Sequence, residues 1–357
     1  MEFSSMLVSN DLMKFSKEDL QKIATQLNIT VASTKIEMAS EIYTEINKSP
    51  ITDETIKSIV DQNLLAGKVS VKWYKVIEDW SAEDVKQKLI STKDIFRHKR
   101  IPSRENLDIK PIIFTGFISD NKEKIYLRFI YKASVKNEMY GDEINTVPTP
   151  GYSTVLIDFK NKVLEYRGDS KKAKDVILQL LKIFNGEPSN EMLKEIFPES
   201  LDDVLKKLDG ELLDTLASTD KKMDLSKEQL EGISKVLNGL DEYFRNQELK
   251  ELEAILIETN DLFENNLSNE LMPFSSTILS GLETISLGSG KDIRKNPMFK
   301  YLDPNLNHNA GYIKIKHVED GIENSYTLRA SISSKSLYFN SPVNESILSY
   351  VRRKIVI

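Results

Sequence analysis

Apolar residues at helical spacing follow hydroxyl start signals in the first part of the chain. Ser16-Lys-Glu-Asp19, Thr34-Lys-Ile-Glu37 and Ser81-Ala-Glu-Asp84 each place a hydroxyl three residues before a carboxylate, the arrangement in which an N-cap and the third helical residue satisfy each other's backbone donors. After the first box, Leu20, Ile23, Ala24 and Leu27 make one apolar face, and after the second, Ile36, Ala39, Tyr43 and Ile46 make another. A third helix is predicted from about Asp53 to Leu65. Residues 1–92 therefore read as a small helical domain.

From about residue 111 the pattern becomes alternating or continuously apolar. Pro111–Ile118, Lys124–Tyr131 and Ser153–Phe159 are rich in β-branched and aromatic residues, which fit a pleated, half-buried surface. Turns are predicted at Asp120-Asn121 and Lys160-Asn161, the second leading into Lys162–Tyr166. Gly168 ends that strand, and Ser170 opens a helix through Phe184 with Ala173, Val176, Ile177 and Leu180 inward. Asn137–Pro150, with Gly141, Pro148 and Pro150, reads as a long irregular loop. Residues 105–186 are thus a mixed sheet domain closed by a helix.

Residues 187–287 read as helical, with Leu201, Val204, Leu205, Leu208 and Leu212 in heptad-like spacing and Ser226-Lys-Glu-Gln229 opening a long helix through Phe244. Residues 288–357 are β-rich, with strands at Gly311–His317, Ser325–Ile332 and Ser336–Phe339 and a hairpin turn at Asp320-Gly321. The end, Tyr350–Ile357, reads as a docked strand with Val351, Ile355 and Ile357 inward and Arg352 and Lys354 outward. The variant reading is a terminal helix beginning near Ser341, with Pro342 at its first position. The fold class is α+β.

Composition narrows the chemistry. The 357 residues are 40% hydrophobic and 29% charged, as in ordinary globular proteins, and no apolar run reaches the roughly 18 residues of a membrane span. Met1–Asn10 lacks the basic and apolar regions of a secretory signal. The expectation is a cytoplasmic protein of several domains with no membrane partner. Zero cysteines exclude disulfides and thiolate chemistry, and the three histidines, His98, His308 and His317, have no metal-ligand spacing. The net charge of −6 conceals a block: residues 181–270 carry 22 acidic and 10 basic side chains. An acidic middle repels polyphosphate, so a nucleic-acid surface belongs in the flanks.

The catalytic motifs fall short of their templates. Gly288-Ser-Gly290-Lys291-Asp292 lacks the earlier glycine and the hydroxyl of a phosphate loop. Asp158 and Glu165 beside Arg167 are the best carboxylate pair for a metal-dependent nuclease, but the lysine that steadies an attacking water is absent. The bland alternative is a solvated cross-strand pair. No catalytic residue, metal or cofactor is predicted. Between the helical domain and the first strand, residues 93–104 form a basic joint in which Lys93, Arg97, Lys99, Arg100 and Arg104 face Asp94 alone up to residue 104, and clustered cations are what phosphate contacts need. Arg352-Arg353-Lys354 is a smaller cluster.

Residues 14–47, Lys14–Ile29 followed by Thr34-Lys-Ile-Glu-Met-Ala-Ser-Glu-Ile42, resemble the SAP and Rho N-terminal type of helix-extension-helix module. The resemblance implies that Lys35 and the start of the second helix approach a phosphate backbone; the family's glycine before the lysine is absent, and Glu37 and Glu41 make this helix acidic. The order of helical domain, basic joint and antiparallel sheet with Tyr152–Asp158 is similar in layout to the centromere protein N family, which implies DNA and a protein partner. The reading is a non-enzymatic DNA-binding or regulatory protein using Lys35, Arg97, Lys99, Arg100 and Arg104. The alternatives are a protein-protein adaptor using residues 187–287 and a nuclease centred on Asp158 and Glu165.

Overall fold

All three hydroxyls cap their helices, and at Thr34 the box closes in full, its backbone N donating to Glu37 Oε2 at 3.3 Å. Ser16 Oγ accepts from Asp19 N at 3.0 Å and donates to its carboxylate at 2.7 Å; Thr34 with Glu37 and Ser81 with Asp84 repeat the exchange. In this computed structural model they open α2 (Lys17–Gln26), α3 (Lys35–Lys48) and α5 (Ala82–Thr92), while Asp53 caps α4 (Glu54–Asn63) and a single turn, α1 (Ser9–Leu12), precedes them. The structure describes residues 3–30, 34–48, 51, 53–76, 81–92, 95–96, 99–141, 143–185, 193–218, 227–264, 285–288, 291–296, 299, 303, 306–319 and 321–357.

Two compact units divide the chain: Met1–Glu211 with Tyr312–Ile357, and Leu212–Gly311. The first unit is built on an antiparallel sheet. Its strands are β1 (Ser70–Val76), β2 (Ile112–Ile118), β3 (Lys124–Tyr140), β4 (Glu143–Asp158), β5 (Val163–Arg167), β6 (Leu193–Ile196), the Tyr312–Glu319 part of β9 (Asn307–Glu319), β10 (Ile322–Ser331) and β11 (Ser336–Phe339). Their order is β2-β3-β4-β5-β1-β11-β10-β9, with β6 also alongside β1. The helical reading of residues 1–92 is corrected by β1, a central strand: Val71 and Trp73 are buried on one side of it and Tyr74 and Val76 on the other. Seven residues are too few to interrupt a run of helical signals.

Directly opposed residues in the register point to one face. On one face Ile125, Leu127, Phe129, Val155, Ile157, Leu164 and Tyr166 pack under α5 and α6 (Ala173–Asn185). On the other, Tyr126 and Leu156 join the core of α1 to α4, in which Leu20, Ile23, Met38, Ile42, Ile56 and Val60 are buried. The sheet is a layer between helices, and each large apolar side chain so buried contributes roughly 1.5–3 kcal/mol.

Two further expectations change. The loop expected over Asn137–Pro150 is instead the outer half of a long hairpin, paired from Lys124↔Asp158 to Tyr140↔Glu143 with a bulge between Lys132 and Ser134. β5 pairs only Thr154–Asp158 of β4, so Pro148 and Pro150 stand where β4 has β3 alone as partner, and a missing N–H breaks no second ladder. The C-terminus is α10 (Glu345–Ile355), not a strand. Asn344 Oδ1 caps Ile347 N at 3.0 Å, and Ile347, Leu348, Val351, Arg352 and Ile355 are buried at helical spacing. Arg352, expected outward, is inside; Lys354 is exposed.

In the stretch expected to be helical, α7 (Leu201–Leu208) ends in left-handed Asp209, and Leu212 lies in a strand, β7 (Glu211–Ser218). In the second unit, β7 pairs with β8 (Ile285–Gly288). α8 (Lys227–Asn246) and α9 (Leu249–Glu264) form a hairpin. A Cβ on Gly239 would lie 2.8 Å from Ile255 Cδ1, so glycine permits that approach. Ser226, Asp320, Ser289 and Gly290 lie outside the described residues. Among the described residues no helix is long and apolar enough to cross a membrane.

Candidate anion-binding notch

β5 is short, and the sheet has a notch where it stops. Across the sheet Arg128 (β3), Thr154 (β4), Arg167 (β5) and Val71 (β1) are opposed in one row. Past Arg167 the chain turns at Gly168, with φ +149°, where a Cβ would meet Ser153 Cβ at 2.8 Å and the Tyr166 hydroxyl at 2.9 Å. Glycine is required there by both conformation and space. Asp169 follows, its Oδ1 accepting from Lys171 N at 3.0 Å as the chain enters the turn before α6.

The two arginines in that row are held from behind. Arg128 Nη1 donates to Asp11 Oδ2 at 2.6 Å and Met6 O at 2.7 Å, and Nη2 to Asp11 Oδ1 at 2.9 Å. Arg167 Nε donates to Glu165 Oε1 at 2.6 Å, while its Nη atoms hold Glu345 at 2.6 and 2.8 Å and Nη1 also reaches Leu65 O at 3.1 Å. Glu165 Oε2 accepts from Trp73 Nε1 at 2.8 Å and pairs with Arg352 Nε at 3.2 Å. Burial by itself would raise the Glu165 carboxyl; Arg352, Arg167 and the Trp73 N–H outweigh it and hold the carboxyl below its ordinary range. Burial likewise opposes the Arg167 charge, and Glu345 and Glu165 overcome it, raising its pKa.

The notch encloses about 600 Å³, within the range of small-molecule sites. Its lining holds five cations (Lys14, Lys68, Arg128, Arg167, Arg329) and nine hydroxyl side chains against a single carboxylate, Asp169. The carboxylates that neutralise Arg128 and Arg167 are not part of the lining. Lys68 and Arg329 are exposed, and among the described residues no carboxylate stands within ion-pair distance of either; Arg329 lies over the Tyr312 ring. Arg128, a buried residue of the lining, has no hydrogen-bond partner for its Nε among the described residues, and its guanidinium lies near the Phe114 and Tyr152 rings. Chemically the notch is a donor-rich, cation-rimmed surface suited to oxyanions.

The basic joint is arranged differently. Lys99 Nζ donates to Leu7 O at 2.6 Å and the Tyr43 hydroxyl at 3.2 Å, and lies over the Tyr43 ring. Arg104 Nε donates to Pro148 O at 2.8 Å. Arg100 is exposed, its backbone N bonded to Phe114 O. Lys35 heads α3, half-buried. Arg97, Lys93 and His98 lie outside the described residues. Among the described residues, Lys35, Lys99, Arg100 and Arg104 do not line the notch.

Both carboxylates of the nuclease pair are engaged by the protein itself. Asp158 accepts from Asn161 N and Nδ2, both at 3.0 Å, fixing the β4–β5 turn, and Glu165 is committed to Trp73 and two arginines. The pair expected to be solvated is buried instead. Among the described residues no group of three or more histidine and carboxylate side chains is placed to hold a metal ion. In the second unit Thr215 Oγ1 meets His308 Nδ1 and His308 Nε2 meets Asp303 Oδ1, each at 2.8 Å. Thr215 is buried and its hydroxyl also donates to Ala310 O, so this chain of contacts offers no accessible nucleophile.

The sequence reading missed Arg128, Lys68, Arg329 and the serines of the β10–β11 hairpin. A signal was present: Tyr126, Arg128 and Ile130 share one face of an apolar strand, and a charge on such a face demands a buried partner. Set against known proteins, the chain matches no family model, and no curated protein is significantly similar to it.

Proposed function

We propose that this is a non-enzymatic nucleic-acid-binding protein whose phosphate contacts are made at the notch. The observation that carries the reading is the imbalance of the lining, five cations and nine hydroxyls against one carboxylate, with Lys68 and Arg329 exposed. Among the described joint residues Arg100 is the exposed cation with no side-chain hydrogen bond or ion pair, and it extends the basic surface in this reading. Cations on a rim, with counter-charges elsewhere, attract polyphosphate without sequence preference. The test is fluorescence anisotropy of a labelled single-stranded oligonucleotide across salt concentration. Lys68→Ala with Arg329→Ala is expected to flatten the slope of log affinity against log salt by about 0.7 per lost contact. An unchanged slope in the double variant refutes the reading.

A second reading, an adaptor acting through residues 187–287, is favoured by the α8–α9 hairpin, which exposes Phe244 at 77% and Ile257 at 69%. Large apolar side chains this exposed offer contact area to a partner. Here the expected outcome is a protein partner retained by the full chain and lost with Phe244→Asp and Ile257→Asp; equal retention removes the adaptor reading.

A further inference from the structure

The notch opens onto an exposed face of the sheet. In β9, β10 and β11 alternate residues are buried, Ile313, Ile315, Leu328, Ala330 and Leu337 among them, and a Cβ on Gly210, just past α7, would meet Ile313 Cγ2 at 2.5 Å, so that side faces the end of α7. The residues between them point the opposite way: Tyr312 and Lys314 on β9, Arg329 on β10 and Tyr338 on β11. Arg329 is exposed and opposed to Tyr338, itself 41% exposed, in the β10–β11 register. The Arg329 guanidinium also lies 5.9 Å from the centroid of the Tyr312 ring. Tyr338 is in turn opposed to Ser70 on β1, and Ser70, Arg329 and Tyr338 all line the notch. A row of ring, cation and ring therefore runs across three adjacent strands and ends at the notch.

The charges on this face suit a polyanion. Lys314, like Arg329 and Lys68, has no carboxylate within ion-pair distance among the described residues. Carboxylates at the margins are already engaged, Glu323 by Lys316 at 2.8 Å and Glu195 by Lys72 at 3.4 Å and Lys335 at 3.7 Å. Charge attracts any phosphate chain; the rings discriminate. Tyr338 and Tyr312 stand two strand spacings apart, roughly 9.5 Å, whereas successive bases of a helix rise by about 3.4 Å. A chain that lays bases on both rings must have them unstacked from one another, which a single strand does freely and a duplex does not. An exposed cation–ring contact is weaker than a stacked base, so a base on Tyr312 displaces the Arg329 guanidinium and frees it for phosphate.

Resting on the nucleic-acid reading above, we propose that this face is a track for single-stranded nucleic acid, in which the backbone passes from the notch over Arg329 and Lys314 and bases stack on Tyr338 and Tyr312. The bound strand is distinguished from a duplex by its free bases, and because every base has a face to stack, the track carries no sequence preference.

The full-length chain tests this with three probes of equal length: an oligothymidylate strand, an abasic strand with the same phosphates, and a duplex. The oligothymidylate is expected to bind at least about tenfold tighter than the abasic strand, since each stacked base contributes about fivefold or more, and tighter than the duplex. Tyr338→Leu and Tyr312→Leu are each expected to lower oligothymidylate affinity about fivefold while abasic binding and the salt slope stay as in wild type, with circular dichroism confirming the fold; Tyr338→Phe, which keeps the ring, is expected to bind as wild type does. Equal binding of the oligothymidylate and abasic strands, a duplex held as tightly as the single strand, or a Tyr338→Leu variant that binds unchanged or loses both strands equally overturns the single-strand track and leaves the nucleic-acid reading intact. No binding of any probe overturns both.

Discussion

The basic joint and the notch are both rich in cations, and they differ in what answers each charge. In the joint, Lys99 and Arg104 reach to main-chain carbonyls, tying the strand-entry segment to Leu7 and to Pro148 on the β3–β4 hairpin. In the notch Arg128 and Arg167 are answered by carboxylates outside the lining, while Lys68 and Arg329 at its exposed side have no such partner among the described residues. A count of lysines and arginines along the chain ranks the joint first; among the described residues, a count of unanswered cations ranks the notch, with Lys68 and Arg329, ahead of the joint, with Arg100. Electrostatic recognition depends on the second count, because a cation already bonded to the protein must give up that bond to take a phosphate.

The sharpest break in the comparison is within the notch itself. Arg128→Met leaves the Asp11 carboxylate buried without its guanidinium, a change that costs roughly 3–5 kcal/mol when one partner of a buried pair is removed. Urea denaturation should show that loss, whereas Arg329→Ala, on the exposed side, should stay within about 0.5 kcal/mol of wild type. If both variants unfold at the same urea concentration, the division between structural and ligand-facing cations is wrong.

Acid should act on the same buried network. Glu165 is held below its ordinary range by Arg352 and Arg167 despite burial, so its contribution is complete above the unfolded carboxylate value, roughly pH 4.3, and is lost as the pH falls through the lower folded value. Glu165→Gln removes that contribution at neutral pH, and the stability gap between wild type and variant should narrow as the pH drops below the unfolded value. A gap of constant size from pH 7 to pH 3 would mean that Glu165 does not feel the two arginines.

Much of the framework was legible because its signals are local. Capping boxes at Ser16, Thr34 and Ser81 need only four residues, and the strands from Ile112, Lys124 and Ser153 announce themselves by composition. What was hidden depends on partners far along the chain. β1 is a strand because β5, β6 and β11 flank it. Pro148 and Pro150 look like loop residues until β5 is seen to leave that edge of β4 unpaired. Arg352 looks like a surface cation until α10 sets it against Glu165, 187 positions earlier. The notch was illegible for the same reason: its lining comes from Lys14, the segment between α4 and β1, the strands β1, β3, β4, β5, β10 and β11 and the turn after β5, and the sequence shows those residues only one segment at a time.

The smallest expected effect bears most directly on the comparison of joint and notch. Lys99 combines two hydrogen bonds with a place over the Tyr43 ring, 5.1 Å from its centroid, which makes it a brace between the joint and the N-terminal helices. Lys99→Met keeps the side-chain length and removes the ammonium, leaving Leu7 O and the Tyr43 hydroxyl to find water. The expected cost is about 1–2 kcal/mol of stability, the scale of lost hydrogen bonds to a charged donor. Because Lys99 does not line the notch, oligonucleotide affinity and its salt slope should be unchanged once the fraction folded is accounted for. The opposite result, full stability with a slope flattened by about one contact, would show that Lys99 leaves Tyr43 to meet phosphate, and the joint would then be the binding surface that its sequence first suggested.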